Sequence, residues 1–460
     1  MSPTERLIAF ASAQHRLPAP ARADAERLLA DTLAVGAAGR GAPGEAAILA
    51  VARSFGTGGE ARLLGEAERL PAASAAFVNG YRIHCLEWDS VHEGAVVHAL
   101  SVVTAALGAA IDRARGCDPA KALAALAVGV DIACGLGIAA ETGLKFFRPA
   151  TAGIIGATAA VARITGAPME HALGLAYSSA AGTMQAHVEG SIALPFQIAN
   201  AARGAVVAAD LAKAGFTAPQ DVFEGPFGYF RLIDEGSLAT YTDAIGDVWR
   251  VSEISTKPYP SGRASHATLA ALSCALSRTP ERIVAIEAHV PPLVSRLVGR
   301  AFARDMTPAY ARLCLPLLVA LMLIDARIDP RRFTSATFAD PEIAALAARV
   351  HVMVDDNPDP NALSPQRLVL TLADGRREEM AIPYTLGSPA APFSPEQARA
   401  KHALTRELAG DIADPRLFDD AVAYFTTPAP FVPSEVEGPA SCPRVSTSVD
   451  ANGEEDSPRP

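Results

Sequence analysis

Aromatic residues and positive charge are both scarce in this sequence of 460 residues. Aromatic side chains make up 6% of the chain, although 50% of it is hydrophobic. The apolar content is therefore mostly Ala, Val, Leu and Ile, which suits closely packed helices. The net charge at pH 7 is −10, from 40 Lys and Arg against 50 Asp and Glu. No excess of positive charge exists to neutralise phosphates, so we expect no nucleic-acid partner.

Cysteine pairs at metal-binding spacing and long apolar runs are also missing. The six cysteines are Cys85, Cys117, Cys134, Cys274, Cys314 and Cys442. None forms a C-x-x-C pair, which excludes a disulfide framework or a zinc or iron–sulfur ligand set and favours a reducing cytoplasm. The two most apolar windows contain His98 and Asp131 and therefore predict core helices rather than membrane spans. The N-terminal pattern does not resemble a signal peptide, so we expect a cytoplasmic protein with no membrane partner.

The order of helix and strand patterns predicts a mainly α protein with two domains. Apolar residues at helical spacing, with breaks at Gly, Pro and Asp, predict a large all-helical domain over residues 1–252. Residues 253–388 predict a smaller α+β domain, in which Asp374-Gly375 forms a hairpin turn. Its strand-like segments are residues 282–290, 350–354 and 367–372. Residues 389–426 predict a helical return to the first domain, and residues 427–460 have the composition of a disordered tail.

Residues 84–98, HCLEWDSVHEGAVVH, concentrate the titratable side chains of the chain. Three of the 10 histidines of the protein fall in this segment. The histidines are His84, His92 and His98, and the carboxylates among them are Glu87, Asp89 and Glu93. An apolar helix follows at once, so the segment lies at the edge of a low-dielectric region that can separate the pKa values of neighbouring acids and bases. This arrangement favours an acid–base site over a set of structural histidines, and the absence of an H-E-x-x-H pattern argues against a metal centre.

A second polar segment, residues 256–266, brings several cations together. Lys257, Arg263 and His266 lie on one loop and helix start, in which two prolines restrict the backbone path and Gly262 permits a tight turn. Such a loop suits the binding of a carboxylate, with the guanidinium of Arg263 making a two-pronged contact. Arg148, at the start of another helix, is a further candidate for anion binding.

Several segments resemble conserved motifs of the MmgE/PrpD family. HCLEWDSVHEGAVVH is similar to the family's His-Ala-Leu-Asp-Phe-Asp-Asp-Thr-His motif, and KPYPSGRASHA to its Lys-Pro-Tyr-Pro-x-x-Arg-x-x-His-Ala motif. FQIANAARGAVVAADLAKAGFTAP, EGPFGYFRLI and ARLCLPLLVALMLID resemble three further stretches in the same order. The resemblance runs from about residue 5 to 425 and leaves out only the tail.

The resemblance implies a lyase that uses no cofactor and forms a homodimer. It implies proton transfer at a carbon next to a carboxylate of a small di- or tricarboxylate, bound between the helical domain and a lid domain. The first reaction we expect is dehydration of a 2-methylcitrate-like hydroxy acid, as in propionate catabolism. By motif match, the expected catalytic residues are Glu87, Asp89, His92, His98 and Lys257. The residues expected to bind substrate are Tyr259, Arg263, His266 and Arg148.

This sequence departs from the family pattern at several polar positions. Leu194 stands where many members carry a lysine, Leu317 replaces a tyrosine, and Phe147-Arg148 replaces a histidine. Two alternatives to a lyase therefore stay open. One is an epimerase or isomerase of a small carboxylate, and the other is a catalytically weakened paralogue that binds a carboxylate.

Overall fold

Helices make up most of the N-terminal part of the chain. The computed structural model describes residues 1–276 and 283–428, which form one compact unit. The N-terminal helices are α1 (Pro3–Ser12), α2 (Ala19–Ala38), α3 (Glu45–Ser54), α4 (Ala72–His84), α5 (Ala99–Arg113), α6 (Pro119–Ile138), α7 (Arg148–Thr165), α8 (Met169–Ser178), α9 (Gln185–Glu189), α10 (Ala193–Lys213), α11 (Tyr229–Leu232) and α12 (Leu238–Thr242). A short antiparallel pair, β1 (Ala61–Arg62) and β2 (Arg69–Leu70), interrupts them and was not expected from the sequence.

Small residues allow the central helices to approach closely. A Cβ atom on Gly156 of α7 would lie 2.1 Å from the carbonyl oxygen of Gly129 on α6. Only a residue without a side chain fits at such a contact. Among the described residues, α6 is the one helix long and apolar enough to cross a membrane, yet 89% of its most apolar window is buried inside the protein. The helix therefore lies in the protein core, as its interruption by Asp131 predicts.

Apart from β1 and β2, the described strands all lie after residue 282. The helices of this region are α13 (His266–Leu276), α14 (Pro292–Val298), α15 (Pro308–Ala311), α16 (Leu315–Asp325), α17 (Ser335–Ala339) and α18 (Pro341–Ala347). The strands are β3 (Ile283–Val290), β4 (Val350–Val354), β5 (Gln366–Leu372) and β6 (Arg377–Ile382). They form one sheet in the order β4-β3-β5-β6, in which only the β3–β4 pair is parallel. Gly375, at a φ of 84°, makes the predicted turn between β5 and β6.

Two hydrophobic cores organise the described chain. The larger core is built from helices α1–α12, and the smaller one from α13–α18 and the sheet. The last helices are α19 (Pro395–Ala409), α20 (Arg416–Asp419) and α21 (Ala421–Thr426), and Leu417, Tyr424 and Phe425 pack into the larger core. The mainly α class is confirmed, while the domain limits at 252 and 388 stay a prediction. Residues 429–460 of the expected tail lie outside the described residues.

Candidate active site

The titratable segment forms a buried loop between α4 and α5. Glu87 adopts a left-handed backbone conformation, with a φ of 55°, which turns the chain sharply after α4. Val91 pairs with Ser255 through two backbone hydrogen bonds of 3.0 and 2.8 Å. This pairing joins the two polar segments, which are more than 160 positions apart along the chain.

The carboxylate of Asp89 lies at the centre of the loop and is fully buried. His84 Nδ1 donates a 2.9 Å hydrogen bond to Asp89 Oδ2, and His98 Nδ1 lies 3.1 Å from the same oxygen. The hydroxyl of Ser101, in the first turn of α5, donates a third contact to it. Burial alone would raise the pKa of Asp89, but the two imidazoles outweigh it and hold the pKa well below its ordinary value. Asp89 is therefore ionised at neutral pH.

The two histidines beside Asp89 differ in their affinity for a proton. Burial lowers the pKa of His84, but the carboxylates of Asp89 and Glu87 outweigh burial and raise it above its ordinary value. The pKa of His98 is lowered, because burial and the charge of Lys257 outweigh the effect of Asp89. His84 therefore keeps its proton to a higher pH than an ordinary histidine, and His98 loses its proton at a lower pH. Opposite shifts in two neighbouring groups separate an acid from a base.

Lys257 and Glu87 form a buried ion pair under this loop. Lys257 Nζ donates to the backbone oxygen of Glu87 at 2.9 Å and to its Oε2 at 3.2 Å. Burial raises the pKa of Glu87, but Lys257 with His84 and His98 lowers it to about 2. The structure therefore brings four of the five expected catalytic residues into one cluster: Glu87, Asp89, His98 and Lys257.

His92, the fifth expected catalytic residue, does not join the cluster. Its Nε2 lies 2.9 Å from Glu253 Oε2, and its Nδ1 accepts from the backbone of Ala95. Both ring nitrogens thus bind residues of the surrounding loops. We correct the expected catalytic assignment of His92 to a structural one, because it has no nitrogen left for a substrate.

Arg263 is engaged by protein groups at all five of its N–H donors. Nε and Nη2 donate to Glu93 Oε1 at 3.1 and 2.7 Å. The remaining contacts are to the backbone oxygens of Thr385 and Leu386 and to His266 Nδ1. The two-pronged substrate contact expected from the sequence is therefore not available in this conformation.

The other expected substrate-binding residues are also held by the protein. Arg148 is fully buried and donates through Nε and Nη2 to the two carboxylate oxygens of Asp234 at 3.1 Å each. His266 binds Ser261, and its pKa lies well below the ordinary value because of burial and the charges of Arg263 and Lys257. The ring of Tyr259 packs edge to face on His266, with centroids 5.4 Å apart. None of these three residues lines the two cavities of the site. Each binds or packs against other protein groups instead.

Two adjoining cavities open beside the cluster. The main cavity, of about 60 Å³, is lined by His84, Glu87, His98, His187 and Arg263 among many apolar side chains. The side cavity, of about 20 Å³, shares His84, Glu87, Leu194 and Leu313 with it and adds Tyr81 and Arg312. Both are small, and together they hold only a few water molecules.

Sequence reasoning missed three residues of these cavities as members of the site. His84 was recognised in the segment but not assigned a role, although its spacing of five from Asp89 in a histidine-rich segment was a usable signal. His187 and Arg312 stand in stretches with no other titratable cluster, so their sequence neighbourhood gives no comparable indication.

His84, Asp89 and His98 could also hold a metal ion, since one ligand atom from each lies within 4.8 Å of the others. Two histidines and a carboxylate are a donor set that zinc and other transition metals accept. Asp89 Oδ2 already receives contacts from both imidazoles and from Ser101, while Asp89 Oδ1, His84 Nε2 and His98 Nδ1 are buried without a hydrogen-bond partner among the described residues. Chemistry without a metal remains our expectation.

Fold and cluster together define a helical protein with a buried acid–base pair under a largely apolar cavity. The family model described as the MmgE/PrpD N-terminal domain matches residues 8–241, and the MmgE/PrpD C-terminal domain matches residues 259–415. The chain belongs to the MmgE/PrpD family, as its motifs predict.

Curated relatives of this chain include cis-aconitate decarboxylases. A cis-aconitate decarboxylase-like protein, oryM, of Aspergillus oryzae is 24% identical over 432 residues, covering 86% of this chain and 88% of the relative. The cis-aconitate decarboxylase of Mus musculus is 24% identical over 398 residues, covering 82% and 80%. The enzyme of Aspergillus terreus is 24% identical over 446 residues, covering 86% and 87%.

Proposed function

We propose that this protein is a cofactor-independent lyase that acts on a small carboxylic acid by proton transfer at a carbon next to a carboxylate. The observation that supports this most directly is the pair of histidines on one oxygen of Asp89, with pKa shifts of opposite sign. An anionic intermediate at carbon needs a base, an acid and nearby positive charge. The cluster supplies all three.

His98 is the proposed base. A neutral imidazole that keeps its proton on Nδ1, facing Asp89, has an unprotonated Nε2 for the substrate. His98 lines the main cavity, where it can remove the proton from the substrate carbon. His84, whose pKa is raised by the carboxylates beside it, is the proposed acid, and it lines both cavities. Asp89 orients both rings and stabilises the positive charge as the proton moves.

Dehydration uses both histidines. His98 takes the proton from carbon, the electron pair forms the carbon–carbon double bond, and the hydroxyl group leaves as water with the proton of His84. The presence of both an acid and a base favours this reaction, and a 2-methylcitrate-like hydroxy acid is the proposed form of the substrate.

Decarboxylation is the second candidate, and the names of the curated relatives favour it. In that reaction the carbon–carbon bond to a carboxylate breaks, carbon dioxide leaves, and His84 or a protonated His98 delivers a proton to the carbon that keeps the electron pair. Only an acid is required. Incubation with 2-methylcitrate and with cis-aconitate, with the products separated by chromatography and carbon dioxide measured, distinguishes the two reactions.

The open alternatives predict different isotope results. An active lyase or epimerase incorporates deuterium from D₂O at the substrate carbon, whereas a protein that only binds carboxylates does not. An epimerase exchanges the proton and inverts the centre but releases neither water nor carbon dioxide. Absence of both exchange and product, with every acid tested, would refute the lyase proposal.

Residues 253–388 are the proposed lid. The main cavity of about 60 Å³ is smaller than a di- or tricarboxylic acid needs, so part of its wall must move to admit one. Arg263, Leu297 and Leu363 form that wall within the proposed lid, and Arg263 bonds to Glu93 across the joint. Breaking this contact accompanies opening in our proposal.

An exposed apolar surface supports the proposed homodimer. Phe55, directly after α3, and Phe196, Val207 and Leu211 of α10 are each between 38% and 45% exposed. Such a patch on one face of two helices is typical of a subunit interface. A charged substitution, Leu211→Glu, is expected to produce a monomer in light-scattering measurements, whereas an unchanged dimer would place the interface elsewhere. Cys85, Cys117, Cys134 and Cys314 form no disulfide in the described part of the chain, which supports the proposed cytoplasmic location.

A further inference from the structure

The cations that the sequence assigns to substrate binding are already neutralised inside the protein. Lys257 pairs with Glu87 at 3.2 Å, and Arg263 pairs with Glu93 at 2.7 Å. In the closed structure, turning Lys257 to a substrate carboxylate would leave the buried carboxylate of Glu87 unpaired, which is strongly unfavourable. Arg263 there spends its N–H donors on Glu93, His266 and two backbone oxygens. The receptor for the substrate's charge must therefore be a different group.

Arg312 has the properties of that receptor. It follows α15 and is only 5% exposed, and it lines the side cavity beside Tyr81, His84 and Glu87. The Nε atom of Arg312 is buried and has no hydrogen-bond partner among the described residues. The guanidinium of Arg312 also forms no ion pair with any described carboxylate. The centroid of the Phe333 ring lies 5.1 Å from Cζ of the Arg312 guanidinium. A guanidinium stays charged when buried, so this unsatisfied donor group calls for an anionic ligand.

The main cavity offers little else to a charged substrate. Its walls include the apolar side chains of Leu144, Phe147, Met184, Leu194, Leu297 and Leu363. A carboxylate placed against them would lose its hydration without gaining a cation, which is costly. An alkyl group placed there would instead gain from burial.

The charge balance of the site limits the number of carboxylates it can take. The anions are Glu87, Asp89 and Glu93, and the cations are Lys257, Arg263, Arg312 and protonated His84. Four positive charges against three negative ones leave one net positive charge. Each of the other three cations is held by one of the three carboxylates, so Arg312 is the cation of this set without a hydrogen-bond partner among the described residues. The surplus balances one carboxylate, and each further carboxylate would add an unbalanced negative charge.

We propose that Arg312 binds a substrate carboxylate through its guanidinium fork and that the substrate is a mono- or dicarboxylic acid with an apolar remainder, rather than a tricarboxylic acid. This proposal rests on the proposed function for the identity of the site and narrows its substrate: it keeps the lyase reaction but replaces the tricarboxylic 2-methylcitrate by a hydroxy acid with fewer carboxylates. The carboxylate occupies the side cavity, and the apolar remainder lies against Leu194 and its neighbours in the main cavity. Binding of this kind gives the substrate one orientation relative to His84 and His98.

A pair of unreactive ligands of similar shape tests the proposal. Tricarballylate carries three carboxylates, and in 2-isobutylsuccinate an isopropyl group replaces one of them. Calorimetric titration of the full chain is expected to show that 2-isobutylsuccinate binds more tightly than tricarballylate. Tighter binding of tricarballylate would overturn the substrate class.

Substitution of Arg312 tests the receptor. Arg312→Met is expected to weaken binding of 2-isobutylsuccinate by about 10- to 100-fold, the range of a charged hydrogen-bond pair. Arg312→Lys keeps the positive charge but not the two parallel N–H donors of the guanidinium. Its affinity for 2-isobutylsuccinate is therefore expected to lie between those of the wild type and the Arg312→Met variant. The control is Arg399→Met, an exposed arginine on α19, which should bind as wild type does. Equal binding by wild type, Met and Lys variants would overturn the role of Arg312.

The experiments can refute the role of Arg312 without refuting the proposed lyase, and they can refute the lyase without refuting the role of Arg312. Both ligands lack a group that can leave, so the titration measures binding without turnover. Binding that depends on Arg312, with no turnover of any acid, would refute the lyase and retain the receptor. Turnover by the Arg312→Met variant with an unchanged Michaelis constant would refute the role of Arg312 and retain the lyase. Thermal melting of each variant confirms that it is folded, and Arg312→Lys provides the comparison if the Met variant is not.

Discussion

The imidazole rings of His84 and His98 lie edge to face, with centroids 5.0 Å apart, and Nδ1 of each ring contacts the same oxygen of Asp89. The two rings belong to different helices: His84 ends α4, and His98 precedes the first residue of α5. Their separation along the chain is 14 positions, and the intervening loop returns to bring them together. One carboxylate thus controls the proton affinity of two residues that face the cavity.

Replacement of Asp89 by Asn is expected to lower kcat by about 10²- to 10⁴-fold, the usual contribution of a positioned acid–base group. An amide carries no negative charge, so His84 loses the main cause of its raised pKa, and the amide NH₂ group can compete with the two rings for their positions. Steady-state kinetics on the substrate identified above measures the effect. Ser101→Ala removes only a hydroxyl contact to the same oxygen and should cost less. A change of less than threefold in Asp89→Asn would contradict the assignment.

The dependence of kcat/KM on pH is expected to be bell-shaped. His98 must be neutral, and its pKa is lowered, so activity rises with pH below about 6.5. His84 must be protonated, and its pKa is raised, so activity falls with pH above about 6.5. Because the two groups interact, the two limbs report pKa values of the pair. A profile in which activity continues to rise up to alkaline pH would contradict His84 as the acid.

Removal of Lys257 is expected to destabilise the fold. Lys257→Met leaves the buried carboxylate of Glu87 without its cation, at a cost of about 3–5 kcal/mol. Glu87→Gln in the same chain removes that charge and should recover most of the loss. Urea unfolding followed by circular dichroism gives the free energies of unfolding. Equal stability of the single and double variants would show that the ion pair does not hold this loop.

Stability should also fall in acid because of Glu87. Its pKa is about 2 in the folded protein and higher when unfolded, so the unfolded chain binds the proton more readily. The contribution is complete above the ordinary pKa of a glutamate, about 4.5, and is lost as the pH falls towards 2. Glu87→Gln removes this part of the pH dependence, which unfolding curves at several acidic pH values can detect.

Removal of metal ions is expected to leave the activity unchanged. Asp89 Oδ2 is satisfied by its two imidazoles and by Ser101, so the site needs no ion to balance it. Dialysis against EDTA followed by assay, with and without added Zn²⁺, measures this. A tenfold loss that Zn²⁺ restores would show instead that His84, Asp89 and His98 are metal ligands.

Much of the local structure could be predicted from the sequence. The helix predicted over 119–141 is observed as Pro119–Ile138, and that over 193–214 as Ala193–Lys213, because Pro, Gly and Asp mark helix ends through local backbone preferences. The strand predicted over 350–354 has those bounds in the structure. The concentration of histidines in residues 84–98 also pointed to the segment that forms the buried cluster, and its motifs identified the family.

The tertiary structure alone decided which charges are free. Arg263 meets Glu93 from 170 positions away, and Arg148 meets Asp234 from 86 positions away, so both arginines that the sequence offered to the substrate are occupied. Arg312 lies in the motif-like stretch ARLCLPLLVALMLID, to which the sequence assigned no role in the site, and its Nε has no such partner among the described residues. Local sequence fixes backbone preference and the spacing of apolar faces. Whether a buried charge is paired depends on contacts between distant segments, and only the folded chain defines them.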